Sequence, residues 1–278
     1  MRFSIRFIID SAHTAAFNMA ADLFLMEQCS SEAAVITIRF YGWLPAAITI
    51  GRMQRALRQL DRAVLEREGV DWIRRPTGGR AVLHADDLTY SCVFSRSLGA
   101  LGSSVAATYS IITRCLVRGL LYAGIETSVQ ESASALIKGG RDVRLPCFLA
   151  PNRNEIMVQG RKLVGSAQYR SATTVLQHGS IALTEASCEL PRFLALSEDD
   201  RTRQLALMRE KCIVLSEVAP SCATAELVAA LARGFTSELG CNGCERSWRD
   251  DELSSIAAIV RGERFRAQWL SDAEPDAL

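Results

Sequence analysis

The sequence predicts a mixed α/β fold in which sheets pack against helices. Runs rich in β-branched and aromatic residues, such as 34–43 and 173–183, are typical of strands. Longer runs with apolar residues three and four positions apart, such as 104–124, are typical of amphipathic helices. Both patterns alternate along the 278 residues, so we expect strands and helices to share a core.

The N-terminal half contains most of the predicted strands. The first nine residues alternate as a strand, and Thr14 is placed to cap the helix that follows. Strands are predicted at 34–43 and 46–52, and Gly69 is placed to end a short helix. The segment 70–95 then predicts a strand, a glycine turn and two more strands.

The C-terminal half changes character near residue 185. Residues 154–170 predict two strands that turn at Gln159-Gly160, and 131–146 predict a loop. Beyond about Leu190 the pattern is helical. We therefore expect a catalytic core over 1–185, with a helical region over 186–278 packed on it, as one domain overall.

Composition argues against several classes of partner. The formal net charge is +1, which indicates neither a nucleic acid nor a membrane surface as partner. No run approaches the roughly 20 apolar residues of a membrane span, and no export signal is visible. The nine cysteines are therefore expected to be reduced thiols of a cytoplasmic protein. Cys241 and Cys244 have metal-ligand spacing but no second pair nearby, so no metal site is expected.

The segment RRPTGGR at 74–80 has the features of a binding loop. Arg74 and Arg75 leave a strand, and Gly78-Gly79 allow a ligand to approach the backbone closely. Such a loop offers N–H groups and cations to a carbonyl, a phosphate or an oxyanion. The alternative is a hairpin turn with two solvated arginines. The segment lacks the Gly-Lys-Ser/Thr ending of a nucleotide-binding P-loop.

Three further residues have side chains suited to catalysis. Cys147 follows a proline in a predicted loop, and its thiol becomes a nucleophile only as the thiolate. Lys162 is the cation that could favour that thiolate. His178 lies in a β-rich run. The residues alone leave open whether Cys147 is one more buried thiol and whether His178 is merely a hydrogen-bonded structural residue.

Taken together, these segments resemble one family. FNMAADLFL, RFYGWLPAAITIGRMQ, RRPTGGRAVLH and GRKLVGSAQYR…VLQHGSIAL are similar to motifs of the lipoate/octanoate attachment enzymes, relatives of biotin protein ligase. The resemblance covers roughly residues 15–185. CFLAPNRNEIMVQGRKLVGSAQ is similar to the cysteine-dependent octanoyltransferases of Gram-positive type. Leu149 departs from that pattern, since these enzymes often have an acidic residue there.

The resemblance implies a fold, a reaction and a site. The fold would consist of largely antiparallel sheets flanked by helices, with a short helical C-terminal region. Cys147 would accept the acyl group of octanoyl-acyl carrier protein, with its pKa lowered by Lys162, and pass it to the lysine of a lipoyl domain, such as that of glycine cleavage H protein. No ATP or other cofactor is implied. The implied substrate-binding residues are Arg74, Arg75, Thr77, Gly78, Gly79, Ala81, His84, Gly165, Ser166, Ala167, His178 and Gly179.

Other functions remain open at this stage. An amidotransferase that moves octanoyl or lipoyl groups between two lipoyl domains would use the same residues with another donor. An ATP-dependent lipoate-protein ligase would adenylate the free acid. Cys147, the presence of Arg80 where ligases usually have a third glycine, and the short C-terminal region argue against the ligase. A non-enzymatic lipoyl-domain binding protein would need neither Cys147 nor Lys162.

Overall fold

The computed structural model describes residues 3–29, 34–54, 59–130 and 155–270. Within these ranges the strands are β1 Ser4–His13, β2 Val35–Trp43, β3 Ala47–Ile50, β4 Asp71–Arg74, β5 Val82–His84, β6 Asp87–Ser95, β7 Ser128–Val129, β8 Ile156–Val158, β9 Arg161–Arg170, β10 Thr174–Ala182 and β11 Gly243–Glu245. The helices are α1 Ala15–Gln28, α2 Arg62–Glu68, α3 Gly99–Ser103, α4 Val105–Tyr122, α5 Glu198–Lys211, α6 Leu215–Val218, α7 Thr224–Leu239, α8 Asp250–Arg261 and α9 Glu263–Trp269.

The strands form two sheets. The larger sheet has the order β11-β1-β2-β6-β10-β9-β8-β7, and the smaller one has the order β4-β3-β5. In the larger sheet β1 pairs in parallel with β11 and with β2, whereas the pairs from β2 to β7 are antiparallel. The prediction of a mixed fold with largely antiparallel sheets flanked by helices is confirmed.

Alternation along the strands buries both faces of the larger sheet. Cys92 and Phe94 of β6 face a core that includes residues of α4 and α7, whereas Val93 faces a core that includes residues of α1, α8 and α9. Successive side chains of a strand point to opposite faces, so one strand contributes to both cores. The central strands are therefore almost continuously apolar or buried, and they form a rigid support for loops and polar residues on them.

Several local predictions are confirmed. The hydroxyl oxygen of Thr14 accepts the N–H of Phe17 at 3.3 Å and caps α1. The β8–β9 hairpin turns at Gln159-Gly160, with φ of 51° and 75°. A two-residue hairpin with positive φ at both central positions matches the right-handed twist of its strands, which explains glycine at the second position.

The glycine loop between β4 and β5 does not form a hairpin. Both strands pair with β3, which lies between them, in parallel with β4 and antiparallel to β5. Residues 75–81 therefore cross from one edge of the small sheet to the other. The alternative of a hairpin with two solvated arginines is wrong, because Arg74 and Arg75 are 2% and 4% exposed.

The region after residue 185 contributes a strand as well as helices. The three residues of β11 pair with Ile5, Arg6 and Phe7 of β1. The prediction of a helical region did not include this strand. A strand this short leaves no period to recognise in the sequence. Gly243 is required there, because a Cβ atom at this position would lie 2.3 Å from the Phe7 ring. The division at residue 185 stays a prediction.

Candidate active site

A cleft lies where strands of both sheets meet helix α1. Its walls are mostly apolar or backbone, with a few polar groups that converge on it. The lining residues are Met19, Tyr41, Trp43, Thr49, Arg75, Val82, His84, Thr89, Gly165, Ser166, Ala167, His178, Gly179 and Ser180.

His178 is held on one side of the cleft by two side chains. Its Nδ1 lies 3.3 Å from Oδ2 of Asp22, and its Nε2 lies 2.7 Å from Oγ1 of Thr77. Burial lowers the pKa of His178, against the opposing effect of the Asp22 carboxylate. The imidazole is therefore neutral at pH 7. Because Nδ1 faces a carboxylate, we assign the ring proton to Nδ1, so that Nε2 accepts the Thr77 hydroxyl hydrogen.

Asp22 is itself supported from behind the cleft. It lies on α1 and is fully buried, and Arg39 NH1 lies 4.0 Å from its Oδ1. Arg39 is also fully buried and donates to Asp10 at 2.8 Å and to the side-chain oxygen of Asn18 at 2.7 Å. A buried carboxylate needs such a cation or hydrogen bonds in order to remain charged. The arginine therefore places a positive charge close to the Asp22 carboxylate, on the side away from His178.

His84 is held in the same manner at the other side. Its Nδ1 lies 2.8 Å from Oδ2 of Asp87, and its Nε2 lies 2.9 Å from Oγ1 of Thr49. Asp87 Oδ2 also accepts the hydroxyls of Thr89 at 3.0 Å and Ser180 at 2.6 Å. The ring of Trp43 stacks on His84 with centroids 4.1 Å apart. The imidazole is thus fixed both in its plane and across its face.

Arg75 connects the two histidine networks. Its Nε donates to Thr77 Oγ1 at 3.1 Å, and its NH1 donates to Thr49 Oγ1 at 3.2 Å. Its NH2 donates to the carbonyl oxygens of Gly78 and Arg80, both at 2.7 Å. One buried cation therefore shapes the loop and orders both hydroxyls that contact the histidines. A planar guanidinium group can donate hydrogen bonds in several directions at once, which makes these contacts possible.

Arg74 points away from the cleft lining and holds a neighbouring loop. Its NH1 lies 3.2, 2.9 and 2.7 Å from the carbonyl oxygens of Gly51, Arg52 and Gln54. Gly79, in the opposing loop, has φ of 94°, a backbone conformation that favours glycine. A Cβ atom on Gly51 would lie 1.9 Å from the Gly79 carbonyl oxygen, so the two loops are in direct backbone contact.

Lys162 lies on β9, three residues before Gly165 of the cleft lining, and is 2% exposed. Its Nζ forms an ion pair with the Glu155 carboxylate, which is also buried. Such a pair holds the ammonium group in one place, and removing either partner leaves a buried charge. Cys147 lies outside the described residues. The catalytic roles assigned to Cys147 and Lys162 stay predictions.

The structure brings most of the predicted substrate-binding residues to one cleft. Those that line it are Arg75, His84, Gly165, Ser166, Ala167, His178 and Gly179. Thr77 lies directly behind His178, and Arg74, Gly78, Gly79 and Ala81 belong to the loop and strand end behind the lining. Gly179 is required by close packing, because a Cβ atom there would lie 2.5 Å from the Gly165 carbonyl oxygen.

Other residues of the site were not predicted from the sequence. Tyr41 and Trp43 line the cleft from β2, and Ser180 lines it from β10. Tyr41 and Trp43 are two residues apart, and Ser180 is two residues from His178. Residues at this spacing share one face of a strand, and that spacing is the signal that could have identified them. Asp22 carried no comparable signal, because it lies 156 positions from His178 and meets it only in the folded chain. Asp87, by contrast, follows His84 by only three residues.

The described cysteines lie elsewhere. None of the eight lines this cleft. Burial raises the pKa of Cys92 and of Cys115, which keeps both thiols protonated. Cys244 is exposed on β11, and the part of the chain that the structure describes holds no cluster of three or more metal-binding side chains. Among the same residues no helix has the length and apolarity needed to cross a bilayer.

The match to a family model agrees with this fold and cleft. Residues 14–236 match the model described as "Lipoyl protein ligase A/B catalytic domain". The match begins at the cap of α1 and ends within α7, so it includes each described residue of the cleft. The chain belongs to the family of lipoyl protein ligase A/B catalytic domains.

Curated relatives place the chain among the octanoyltransferases of that family. It is 33% identical to octanoyltransferase LipM of Brevibacillus brevis, over 95% of this chain and 97% of the relative. It is 40% identical to octanoyltransferase LipM of Kyrpidia tusciae, over 82% of this chain and 84% of the relative.

Solved structures resemble the fold at lower identity. A lipoate-protein ligase A bound with ATP superposes with a TM-score of 0.73 at 20% identity, covering 94% of both chains. A bipartite lipoate protein ligase from Thermoplasma acidophilum superposes with a TM-score of 0.76 at 19% identity, covering 95% of this chain and 96% of the other. At this identity the similarity is evidence for the fold alone.

Proposed function

We propose that this protein is an N-octanoyltransferase that moves an octanoyl group from octanoyl-acyl carrier protein to the lysine of a lipoyl domain. The observation that carries the proposal is the 33–40% identity to octanoyltransferases LipM over 82–95% of the chain. The cleft supports it, because its mostly apolar lining suits a short acyl chain.

The proposed reaction has two acyl-transfer steps. The Cys147 thiolate attacks the thioester carbonyl of the donor, and the carrier-protein thiolate leaves, so that octanoyl-Cys147 forms. The neutral amine of the acceptor lysine then attacks this thioester, and the amide forms as the bond to Cys147 Sγ breaks. The proton lost by the amine goes to the departing Cys147 thiolate. His178 is the less suitable acceptor, because both of its nitrogens are already engaged.

Two features support the charge stabilisation that this reaction needs. Lys162 would favour the Cys147 thiolate, since a nearby cation lowers a thiol pKa. The tetrahedral oxyanion would be bound by Lys162 or by backbone N–H groups of residues 165–167. In the described part of the sheet β8 pairs with β9 only as far as Val164, so alternate N–H groups beyond it point to an open strand edge.

No ATP enters the proposed reaction, because conversion of a thioester into an amide is downhill. A second function, ATP-dependent ligation of a free acid, is compatible with the fold, which lipoate-protein ligases share at 19–20% identity. That similarity concerns the fold alone, whereas the relatives at 33–40% identity are named octanoyltransferase. Transfer between two lipoyl domains would use the same residues with another donor.

Intact-protein mass spectrometry tests the proposal. The reduced protein is incubated with octanoyl-acyl carrier protein without ATP, and we expect one octanoyl adduct that hydroxylamine removes. Cys147→Ala should give no adduct, whereas Cys244→Ala, at an exposed cysteine outside the cleft, should load like the wild type. Addition of a lipoyl domain should then move the octanoyl group to its lysine.

Two other outcomes would contradict the proposal. Octanoylation of the lipoyl domain only with free octanoate and ATP, with no adduct on the enzyme, would identify a ligase. Loading only from an already octanoylated lipoyl domain would identify transfer between lipoyl domains, with the same cysteine as nucleophile.

A further inference from the structure

A pair of cysteines lies behind the strand that carries Lys162. Cys188 ends a short 3₁₀ turn at 185–188, and Cys212 follows the last residue of α5. Both belong to one small apolar cluster with Met208 and Val214. Their side chains are close enough to interact directly, so a small movement would be enough to join the two sulfur atoms.

A surface cavity gives access to this pair. Cys188 and Cys212 line a cavity of about 190 Å³ and are 8% and 2% exposed. The charged side chains around it are Arg161, Arg209, Glu185, Glu189 and Glu217. Glu217 pairs with Arg161, and Glu189 pairs with Arg192, so most of these charges are balanced. The cavity therefore does not favour a charged reagent, and a small uncharged molecule can enter it.

The two thiols are unequal. A hydrogen bond from Cys212 lowers the pKa of Cys188, against the opposing effect of burial. The same hydrogen bond, together with burial, raises the pKa of Cys212 far above its usual range. Cys188, the more exposed residue of the two, therefore also ionises first, and a thiolate is the nucleophile in disulfide exchange.

Cys212 is tied to the backbone of Lys162. The two residues form an isolated parallel bridge, and the N–H of Ile213 donates to the Lys162 carbonyl oxygen at 3.0 Å. Arg161 NH1 donates to the Cys212 carbonyl oxygen at 3.2 Å. A movement of Cys212 is thus transmitted directly to the strand that carries Lys162.

We propose that Cys188 and Cys212 form a thiol–disulfide modification site, in which a small uncharged disulfide oxidises the pair to an intramolecular disulfide. The Cys188 thiolate attacks the reagent, forms a mixed disulfide and releases one small thiolate. Cys212 then loses its proton to that thiolate and attacks Cys188 Sγ, which releases the second small thiolate; this thiolate takes up the proton that Cys188 lost when it ionised. Two protein thiols are oxidised, and one small disulfide is reduced to two thiols.

Formation of this bond alters the position of Lys162. An S–S bond is about 2.05 Å long, shorter than a hydrogen bond between two thiols, so Cys212 moves towards Cys188. Misplacement of a catalytic group by about 1 Å can cost on the order of 100-fold in rate. The expected slowing of octanoyl transfer rests on the proposed function, whereas formation of the disulfide does not.

Peptide mapping tests the modification itself. The reduced full-length protein is treated with bis(2-hydroxyethyl) disulfide, free thiols are blocked with iodoacetamide, and we expect one linked peptide pair that contains Cys188 and Cys212. Cys212→Ser should retain a mercaptoethanol adduct on Cys188, because the second thiol is missing. Cys188→Ser should leave Cys212 unmodified. An unmodified Cys188, or a linked pair without Cys212, in the wild type would overturn the proposal whether or not the variants fold.

A second measurement tests the effect on Lys162. The octanoylated enzyme, whose Cys147 is protected by the acyl group, is oxidised and then given a lipoyl domain. We expect at least a tenfold slower transfer than for Cys188→Ser treated identically, with recovery in dithiothreitol. A mapped disulfide with an unchanged transfer rate would overturn the link to Lys162. Failure to form the octanoyl adduct would contradict the proposed function and leave the mapped disulfide standing.

Discussion

Replacement of Thr77 by valine tests the network that joins the two sides of the cleft. Thr77 is fully buried, donates to Nε2 of His178 at 2.7 Å and accepts from Nε of Arg75 at 3.1 Å. Valine has nearly the same shape, so Thr77→Val leaves no cavity but removes both hydrogen bonds. An orphaned buried acceptor costs about 1–3 kcal/mol, and a lost hydrogen bond to a charged group costs about 1.5–3 kcal/mol.

We therefore expect Thr77→Val to lower the free energy of unfolding by roughly 3–5 kcal/mol, a large part of the 5–15 kcal/mol of a typical domain. Thr77→Ser is the matched control, because it keeps the hydroxyl and loses only a methyl group, at a cost of about 1 kcal/mol. Urea unfolding followed by circular dichroism measures both variants, and octanoyl loading should fall in Thr77→Val alone. Equal stability of the two variants would refute the network described for His178.

Three further predictions follow from the site. Gly179→Ala should lower the free energy of unfolding by about 1–3 kcal/mol, because its Cβ would lie 2.5 Å from a carbonyl oxygen of β9. Gly78→Ala is the control: its Cβ would meet nothing within 4 Å, so the same urea titration should show an unchanged free energy of unfolding. Burial lowers the pKa of His178 below its usual value of 6.5, so the unfolded chain binds the proton first as the pH decreases. The free energy of unfolding should therefore decrease by up to about 1.4 kcal/mol for each unit that the pH is lowered below 6.5. His178→Gln should flatten that profile, and an unchanged slope would show that another group titrates. Lys162→Ala should slow the alkylation of Cys147 by iodoacetamide at pH 7, and the rate should recover at higher pH. Lys162→Arg should keep the pH dependence of the wild type. If the two variants alkylate with the same pH dependence, Lys162 does not activate the thiol.

Local patterns in the sequence were enough to predict many of the elements. The cap at Thr14, the turn at Gln159-Gly160 and the strand that carries His178 each depend on a few neighbouring residues. Helix capping, turn conformation and strand alternation are short-range effects, so they can be recognised without knowledge of the fold. The family could be recognised for the same reason, since its motifs are contiguous segments.

Pairing between distant segments could not be predicted in this way. The sequence of the loop after Arg75 is compatible with a hairpin, but in the fold β3 lies between β4 and β5. The three residues of β11 gain their conformation from β1, some 240 positions away. Such contacts depend on which segments the whole chain brings together, and local propensity does not encode that choice.

The sequence by itself determined the family, the mixed fold and the region of the site, because these depend on local patterns and contiguous motifs. Only the tertiary structure decided how the polar residues are used. Asp22 on α1 reaches His178 across 156 positions, and Cys188 meets Cys212 beside the Lys162 strand. The physical reason is burial: a polar group removed from water must find its partner in the fold, and that partner can come from any part of the chain.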